Sequence, residues 1–232
     1  MAIDISAGIR NLCADFDSGP LHMTDFSTAK HNMIEQQIRP WEVLDPKVLD
    51  VFDRINRDQF VPEQYKGLAY ADCCLPIFDG ESMLPPTVEG RLLQALNLRD
   101  RDSVLEIGTC SGYLTACMAG LVQHVTSVDL NAQASSMAHD NLADMNITNV
   151  ELHTIASLED ITHLERYDAI AVTGGSLPAV PENLKNALVI GGRLFAVTGH
   201  SPVMNAQLIT RVSQDEWSTT NLFETDIGRI AN

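Results

Sequence analysis

The second half of the chain alternates between short apolar runs and segments with one apolar helical face. Apolar runs of strand length predict buried strands, at residues 103–107, 124–129, 150–155 and 167–173. The segments between them predict helices at 114–121, 131–145 and 181–187. A turn and a fifth strand follow at 188–199, and residues 207–212 and 222–230 predict two antiparallel strands. Strands that alternate with helices indicate an α/β fold, a doubly wound and mostly parallel sheet covered on both faces.

The first half of the chain has a helical period instead. A helix is predicted over residues 26–39 and ends at Pro40, and a second begins at Asp45-Pro46 and ends near Arg57. A third helix is predicted over 87–96. The stretch 63–86 between them is rich in turn residues, so we expect an irregular loop, and its apolar content favours a functional role.

The domain organisation follows from these patterns. Residues 1–22 carry no sustained period, and His22-Met23 could mark a second start, so we interpret them as a leader or tag, with a short native arm as the alternative. Residues 23–98 would form N-terminal helices and a substrate lid loop. Residues 99–232 would form a cofactor-binding domain with the C-terminal strands, and we expect a ligand at the carboxyl ends of its strands.

A glycine turn joins the 103–107 strand to its helix. The spacing is Glu106-x-Gly108-x-Cys110-x-Gly112, which differs from the G-x-G-x-x-G pattern of nicotinamide sites. Glycine allows the backbone to bend sharply and to approach a ligand closely. S-adenosyl-L-methionine carries an ammonium and a sulfonium, so an acid beside the turn favours it over a pyrophosphate cofactor.

A second acid, Asp129, ends the next strand, seventeen residues past Gly112. That position places a carboxylate on a ribose diol in related crossover units. Either acid alone could be a solvated strand end, but two acids flanking one glycine turn indicate a cofactor site. The predicted cofactor-binding residues here are Glu106, Gly108, Thr109, Cys110, Ser111, Gly112, Asp129 and Leu130.

Composition excludes several classes of function. A net charge of −16 and a pI of 4.6 disfavour a nucleic-acid partner, since phosphate contacts need clustered Lys and Arg. No apolar run is long enough to span a membrane. The five cysteines and seven histidines have no metal-ligand spacing, so we expect no metal. Unpaired cysteines favour a reducing, cytoplasmic compartment.

Several motifs, taken together, resemble the protein-L-isoaspartate O-methyltransferase family over roughly residues 30–200. The glycine turn alone indicates a class I methyltransferase, and the run from Phe60 to Ile77 narrows it to this family. The matching stretches are Gln37-Ile38-Arg39, Phe60-Val61-Pro62, Ala69-Tyr70-x-Asp72-x-x-Leu75-Pro76-Ile77, Val104 to Tyr113, Tyr167 to Thr173 and Gly191-Gly192-Arg193-Leu194.

This resemblance implies a seven-stranded, Rossmann-like methyltransferase sheet and a repair activity. The family uses S-adenosyl-L-methionine, with S-adenosyl-L-homocysteine as product, to methylate the α-carboxylate of L-isoaspartyl residues in damaged proteins. A carboxylate is already anionic at neutral pH, so no general base is needed. Orienting the two reactants can supply on the order of 7–11 kcal/mol.

The chain departs from the family at the substrate loop and the adenine site. The family's active-site serine corresponds to Leu84, while Ser82 stands at a family threonine and becomes the candidate catalytic residue. Glu81 replaces a neutral amide and would repel a carboxylate if it faced the site. Ile155, Ala156 and Ser157 occupy the family's Gly-Asp-Gly position at the adenine, where Ser157 or Asp160 would have to replace the missing hydrogen bond.

These departures leave three hypotheses open. The chain is a carboxylate methyltransferase acting on isoaspartyl proteins, a methyltransferase with another acceptor such as a small molecule, or a non-catalytic relic that still binds the cofactor. The sequence does not determine the oligomeric state.

Overall fold

A seven-stranded sheet forms the centre of the molecule. The computed structural model describes residues 25–78, 80–163 and 166–230. The strands of this sheet are β3 Ser103–Ile107, β4 His124–Asp129, β5 Val150–Thr154, β6 Tyr167–Val172, β7 Leu188–His200, β8 Val203–Arg211 and β9 Trp217–Thr225, while β1 and β2 form a separate hairpin described below. The strand order is β5-β4-β3-β6-β7-β8-β9, with β3 to β7 parallel and β8 and β9 antiparallel at one edge. The predicted fold class is confirmed, and the four strands from 103 to 173 match their predicted bounds within one residue.

Helices cover both faces of this sheet. They are α1 Phe26–Asn32, α2 Pro46–Arg54, α3 Pro86–Leu96, α4 Tyr113–Ala119, α5 Ala132–Asp144 and α6 Glu182–Asn186. The Asp45 carboxylate accepts a hydrogen bond of 2.8 Å from the Lys47 amide, which caps α2 as its sequence predicts. The predicted 26–39 helix changes character along its length, because α1 passes into a π-helical stretch at Met33–Ile38 and a 3₁₀ turn at Arg39–Trp41.

The interpretation of residues 63–86 as irregular was wrong. Glu63–Leu68 forms a 3₁₀ helix, and a two-stranded hairpin follows, β1 Leu75–Phe78 and β2 Glu81–Met83. Leu75 and Met83 face each other in the antiparallel register and are both buried, which stabilises so short a hairpin through side-chain packing. The turn residues misled the prediction because they lie between these strands as well as around them.

The C-terminal strands also differ from the prediction. The two predicted antiparallel strands are confirmed, but the second, β9, runs from Trp217 to Thr225, so its predicted bounds of 222–230 were wrong. The apolar Ile227 and Ile230 are buried outside that strand. The Ser176 amide donates a hydrogen bond of 2.8 Å to the Gly228 carbonyl, and the Ile230 amide donates one of 3.1 Å to the Ser176 carbonyl. These bonds bring residues 226–230 back beside the end of β6.

Two hydrophobic clusters lie against the sheet. The larger joins the helices and hairpin of residues 33–98 to α4 and to the sheet's inner residues, and the smaller includes Leu105, Ile170 and Leu194. The division at 98/99 stays a prediction, although both sides share the larger cluster. Residues 1–22, the predicted leader, lie outside the described residues. Among the described helices, none combines the length and apolarity needed to cross a membrane.

Candidate active site

A crevice opens at the carboxyl ends of β3, β4 and β6, and the β1–β2 hairpin covers it. It consists of two adjoining hollows that share Ser82, Gly108 and Cys110. We call the first the nucleoside hollow and the second the acceptor hollow, after the ligands that the sequence analysis expects at this edge. The nucleoside hollow has a volume of about 400 Å³, part of it open to solvent, and its further lining includes Glu81, Asp129, Leu130, Ile155 and Leu158. The acceptor hollow has a volume of about 260 Å³, and its further lining includes Leu84, Glu89, Glu106, Ser111, Tyr113 and Thr173. This is the strand edge at which we expected a ligand.

The glycine turn is tight because two chain segments meet there. Gly108 has φ of +105°, and a Cβ at that position would lie 2.1 Å from the Gly174 Cα after β6. Gly112 has φ of +82°, and its Cβ would lie 3.0 Å from that of Ala138 on α5. Gly108 still lines the crevice, but the close approach that requires glycine is to Gly174 and not to a ligand.

Glu106 at the end of β3 is fully buried and held by hydroxyl groups. Its Oε2 accepts hydrogen bonds from Thr115 Oγ1 at 2.5 Å and Ser127 Oγ at 2.7 Å, and its Oε1 accepts from Thr173 at 3.3 Å. Burial raises the pKa of Glu106 to about 7, and the hydroxyl donors oppose that shift. Thr109, also buried, bonds Ser127 at 2.7 Å. Glu106 therefore ties β3, β4, α4 and the end of β6 together under the turn.

Asp129 faces the nucleoside hollow from the end of β4. Its Oδ2 accepts a hydrogen bond of 2.9 Å from the Cys110 amide, and its Oδ1 accepts one of 2.8 Å from the Asn131 amide. A carboxylate oxygen can accept about two hydrogen bonds, and each oxygen of Asp129 accepts one here, so both can still accept a hydrogen bond from a ligand hydroxyl. Cys110 has φ of +51°, and burial raises the pKa of its thiol, which keeps it protonated. Leu130 lines the same hollow.

One buried hydroxyl in the acceptor hollow has no partner. Ser111 Oγ is enclosed and makes no hydrogen bond with a described residue, while the enclosed Tyr113 OH has the Cys117 thiol beside it. Buried polar atoms in native proteins are almost always paired, so the Ser111 hydroxyl is a candidate contact for a ligand. S-adenosyl-L-methionine suits this hydroxyl, because its amino-acid end carries both an ammonium and a carboxylate.

Ser82 and Leu84, the two positions that the resemblance singles out, have different surroundings. Ser82 is half-buried on β2 at the boundary between the two hollows. Leu84 is 5% exposed and packs into the larger core cluster, although it also lines the acceptor hollow. The structure thus gives Leu84 a packing role and leaves Ser82 as the hairpin hydroxyl nearest both hollows.

Ala156 and Ser157 lie beside the nucleoside hollow rather than in it. They line a neighbouring open hollow of about 970 Å³ that shares Leu130 and Leu158 with the first. Their neighbours Ile155 and Leu158 line the nucleoside hollow, and these apolar residues suit the faces of an adenine. The sequence analysis placed Ile155 at the adenine position but missed Leu158. The Asp160 carboxylate accepts a bond of 3.0 Å from the Ser157 amide, so it is engaged within its own turn.

Sequence reasoning also missed a buried ion pair beneath the acceptor hollow. Arg57 is fully buried, forms an ion pair with Glu89, and donates a hydrogen bond of 2.7 Å to the Leu84 carbonyl. Its guanidinium lies 4.8 Å from the centre of the Tyr113 ring. Coulombic attraction to Glu89 raises the pKa of Arg57 against the effect of burial. An acid on the apolar side of a helix, Glu89 between Val88 and Leu92, was the available signal.

The described part of the chain contains no group of three or more His, Cys, Asp and Glu side chains placed to hold a metal. The four described cysteines, Cys73, Cys74, Cys110 and Cys117, are free, while Cys13 lies outside the described residues. In both hollows, the described lining residues include no Lys, Arg or His. The crevice is therefore lined by acids, hydroxyls and apolar groups.

Comparisons with known proteins agree on one family. The family profile of protein-L-isoaspartate(D-aspartate) O-methyltransferase (PCMT) matches residues 28–226. A protein-L-isoaspartate O-methyltransferase of Petrotoga mobilis is 35% identical over 81% of this chain and 88% of its own length. One from Rhodopseudomonas palustris is 36% identical over 78% of this chain and 82% of its own.

A similar fold occurs in a solved structure from Plasmodium falciparum. That protein is described as a protein-L-isoaspartate O-methyltransferase and is in complex with S-adenosyl-L-homocysteine. The two structures superpose with a TM-score of 0.73 over 89% of this chain and 98% of the other, at 20% identity.

Proposed function

The chain belongs to the protein-L-isoaspartate O-methyltransferase family, and we propose that it transfers a methyl group from S-adenosyl-L-methionine to the α-carboxylate of L-isoaspartyl residues in damaged proteins. The observation that carries this proposal is the match of family profile and curated relatives across residues that build the crevice, including the glycine turn and Asp129. A protein or peptide bearing that carboxylate is the partner we propose.

The two hollows suggest how the chain would hold its cofactor. Asp129 would accept hydrogen bonds from the ribose, Ile155 and Leu158 would contact the adenine, and Ser111 would bond the amino-acid end. The cofactor supplies a methyl group on a positively charged sulfur. The acids around the turn favour that positive charge electrostatically.

The chain's own contribution is orientation and exclusion of water. An ionised carboxylate needs no proton removed, so the acceptor hollow only has to fix one oxygen opposite the methyl group. Ser82 is the hydroxyl we assign to hold the carboxylate, since it borders both hollows. The apolar Leu84 and the hairpin above it exclude water from the reacting groups.

An isoaspartyl-peptide assay with methyl-labelled cofactor tests the proposal. We expect label to enter an isoaspartyl peptide and not the same peptide with a normal aspartyl residue. Ser82→Ala should lower kcat at least about tenfold, because the variant loses one hydrogen bond to the charged carboxylate. Label in neither peptide above a boiled control would contradict the proposal.

A different acceptor, such as a small molecule, is the second candidate. It is favoured by Glu81 and Leu84 at the crevice and by the absence of Lys, Arg and His among the described lining residues, since a carboxylate acceptor finds no cation there. If these two residues block a carboxylate, the double variant Glu81→Gln with Leu84→Ser will gain isoaspartyl activity. A lack of gain would count against this candidate.

A further inference from the structure

Asn131 connects two carboxylates at the nucleoside hollow. Its backbone amide donates a hydrogen bond of 2.8 Å to Asp129 Oδ1, and its side-chain Nδ2 donates one of 2.9 Å to Glu81 Oε1. Its own Oδ1 accepts a hydrogen bond of 2.9 Å from the Gln133 amide and so caps α5, which prevents the side chain from rotating freely. Glu81 on the hairpin is therefore positioned relative to the end of β4.

The other oxygen of Glu81 has no partner. Glu81 Oε2 is enclosed and makes no hydrogen bond with a described residue, although the residue as a whole is half-buried. Desolvation raises the pKa of Glu81 and the hydrogen bond from Asn131 lowers it. An enclosed carboxylate oxygen without a donor is unfavourable, so a donor arriving with a ligand would be bound strongly.

The position of Glu81 selects among the donors that the cofactor offers. It lines the nucleoside hollow but not the acceptor hollow, where the unpaired Ser111 hydroxyl suits the amino-acid end of the cofactor. Ile155 and Leu158, which also line the nucleoside hollow, are apolar and suit the base. The ribose hydroxyls are the donors that remain for Glu81, beside Asp129.

We propose that Glu81 is a second ribose-binding carboxylate, which accepts a hydrogen bond from one cofactor hydroxyl and so closes the hairpin over the nucleoside. This inference rests on the proposed function, because it assumes that S-adenosyl-L-methionine is the cofactor. It assigns to Glu81 a cofactor role in place of simple repulsion of the acceptor.

Calorimetry with S-adenosyl-L-homocysteine and its 2′-deoxy and 3′-deoxy analogues tests the assignment. Glu81→Gln keeps an oxygen for Asn131 but replaces the free acceptor with an amide donor, so we expect its Kd for S-adenosyl-L-homocysteine to rise roughly tenfold. The loss should vanish for the analogue that lacks the accepted hydroxyl. Glu63→Gln, on the exposed 3₁₀ helix, makes the same charge change and should leave all three Kd values unchanged.

Each other outcome is decisive. An unchanged Kd in Glu81→Gln, or an equal loss for all three ligands, would overturn the ribose assignment and leave the proposed function intact. Failure of the unsubstituted chain to bind S-adenosyl-L-homocysteine would overturn both. Glu81→Ala is a second variant that should reproduce the loss, with thermal unfolding to confirm that each variant is folded.

Discussion

At the scale of single residues, Glu106 and Gly108 are separated only by Ile107 and perform different tasks. Gly108 lets the end of β3 pass against Gly174, and Glu106 gathers hydroxyls from three neighbouring segments. Both residues shape the turn that the cofactor would bind. Each can be tested by a substitution whose effect on stability has a clear physical cause.

Gly108→Ala should destabilise the fold by more than about 4 kcal/mol, because the new methyl group would overlap backbone atoms of Gly174 at a positive φ. Gly67→Ala is the matched control, since a Cβ there meets no atom within 4 Å. It should change stability by less than about 1 kcal/mol. Urea denaturation measures both, and similar losses in the two variants would contradict this account of the turn.

Glu106 should make stability fall as pH rises. Burial raises the folded-state pKa from 4.5 to about 7, so the folded protein holds a proton that the unfolded chain releases above pH 4.5. Stability due to this group is therefore greatest below pH 4.5 and declines up to about pH 7, by about 3 kcal/mol.

Glu106→Gln should remove that decline. Urea denaturation at pH 5, 6 and 7 gives the difference in unfolding free energy between the unsubstituted chain and the variant. This difference should shift steadily in favour of the variant as pH rises. A difference that does not depend on pH would show that Glu106 has an ordinary pKa.

At the scale of elements, one buried side chain joins three of them. Arg57 lies on the 3₁₀ turn Arg57–Phe60, contacts Glu89 on α3, and donates to the carbonyl of Leu84 at the end of the hairpin. It thereby holds the hairpin against the helix beneath the acceptor hollow.

Removing one partner of this pair should cost far more than removing both. Arg57→Met leaves the Glu89 carboxylate unpaired, and we expect a loss of about 3–5 kcal/mol. The double variant with Glu89→Leu should recover at least half of it. The exposed Arg54–Asp50 pair on α2 is the control, because its loss should change stability by under about 1 kcal/mol. Losses that simply add in the double variant would contradict the coupling.

The elements with strong periodicity were predictable from sequence, and those defined by distant contacts were not. The strand at 103–107 is mostly apolar and is buried from 104 to 107, so its bounds follow from composition. The hairpin strands span only 4 and 3 residues, too few to show an alternating pattern. The path of residues 226–230 depends on hydrogen bonds with Ser176, which is far away in the chain and leaves no local pattern.

The site divides in the same way. Asp129 and the glycine turn were predictable, because their spacing reflects a local strand-turn-helix unit. Arg57 and Leu158 were missed, since their roles depend on neighbours far away in the chain. Ala156 and Ser157 were assigned through the family resemblance, and the structure places them in an adjoining hollow.

At the scale of the whole molecule, the chain has a net charge of −16, and the crevice itself is lined by the acids Glu81 and Asp129. Long-range fields of this kind raise the encounter rate of cationic partners and are screened by salt. An isoaspartyl peptide flanked by lysines should have a kcat/KM several-fold higher than one flanked by glutamates at low ionic strength. The two values should converge near 0.5 M salt, where the Debye length is only about 4 Å. Equal values at low salt would argue against electrostatic selection.

The larger hydrophobic cluster, which spans residues 33–98 and the sheet, has a consequence for engineering. Grafting residues 33–98 onto another methyltransferase would expose the apolar side chains that these residues bury against the sheet, and such a chimera should aggregate. Acceptor preference is better altered by editing single hairpin positions, which leaves those side chains buried.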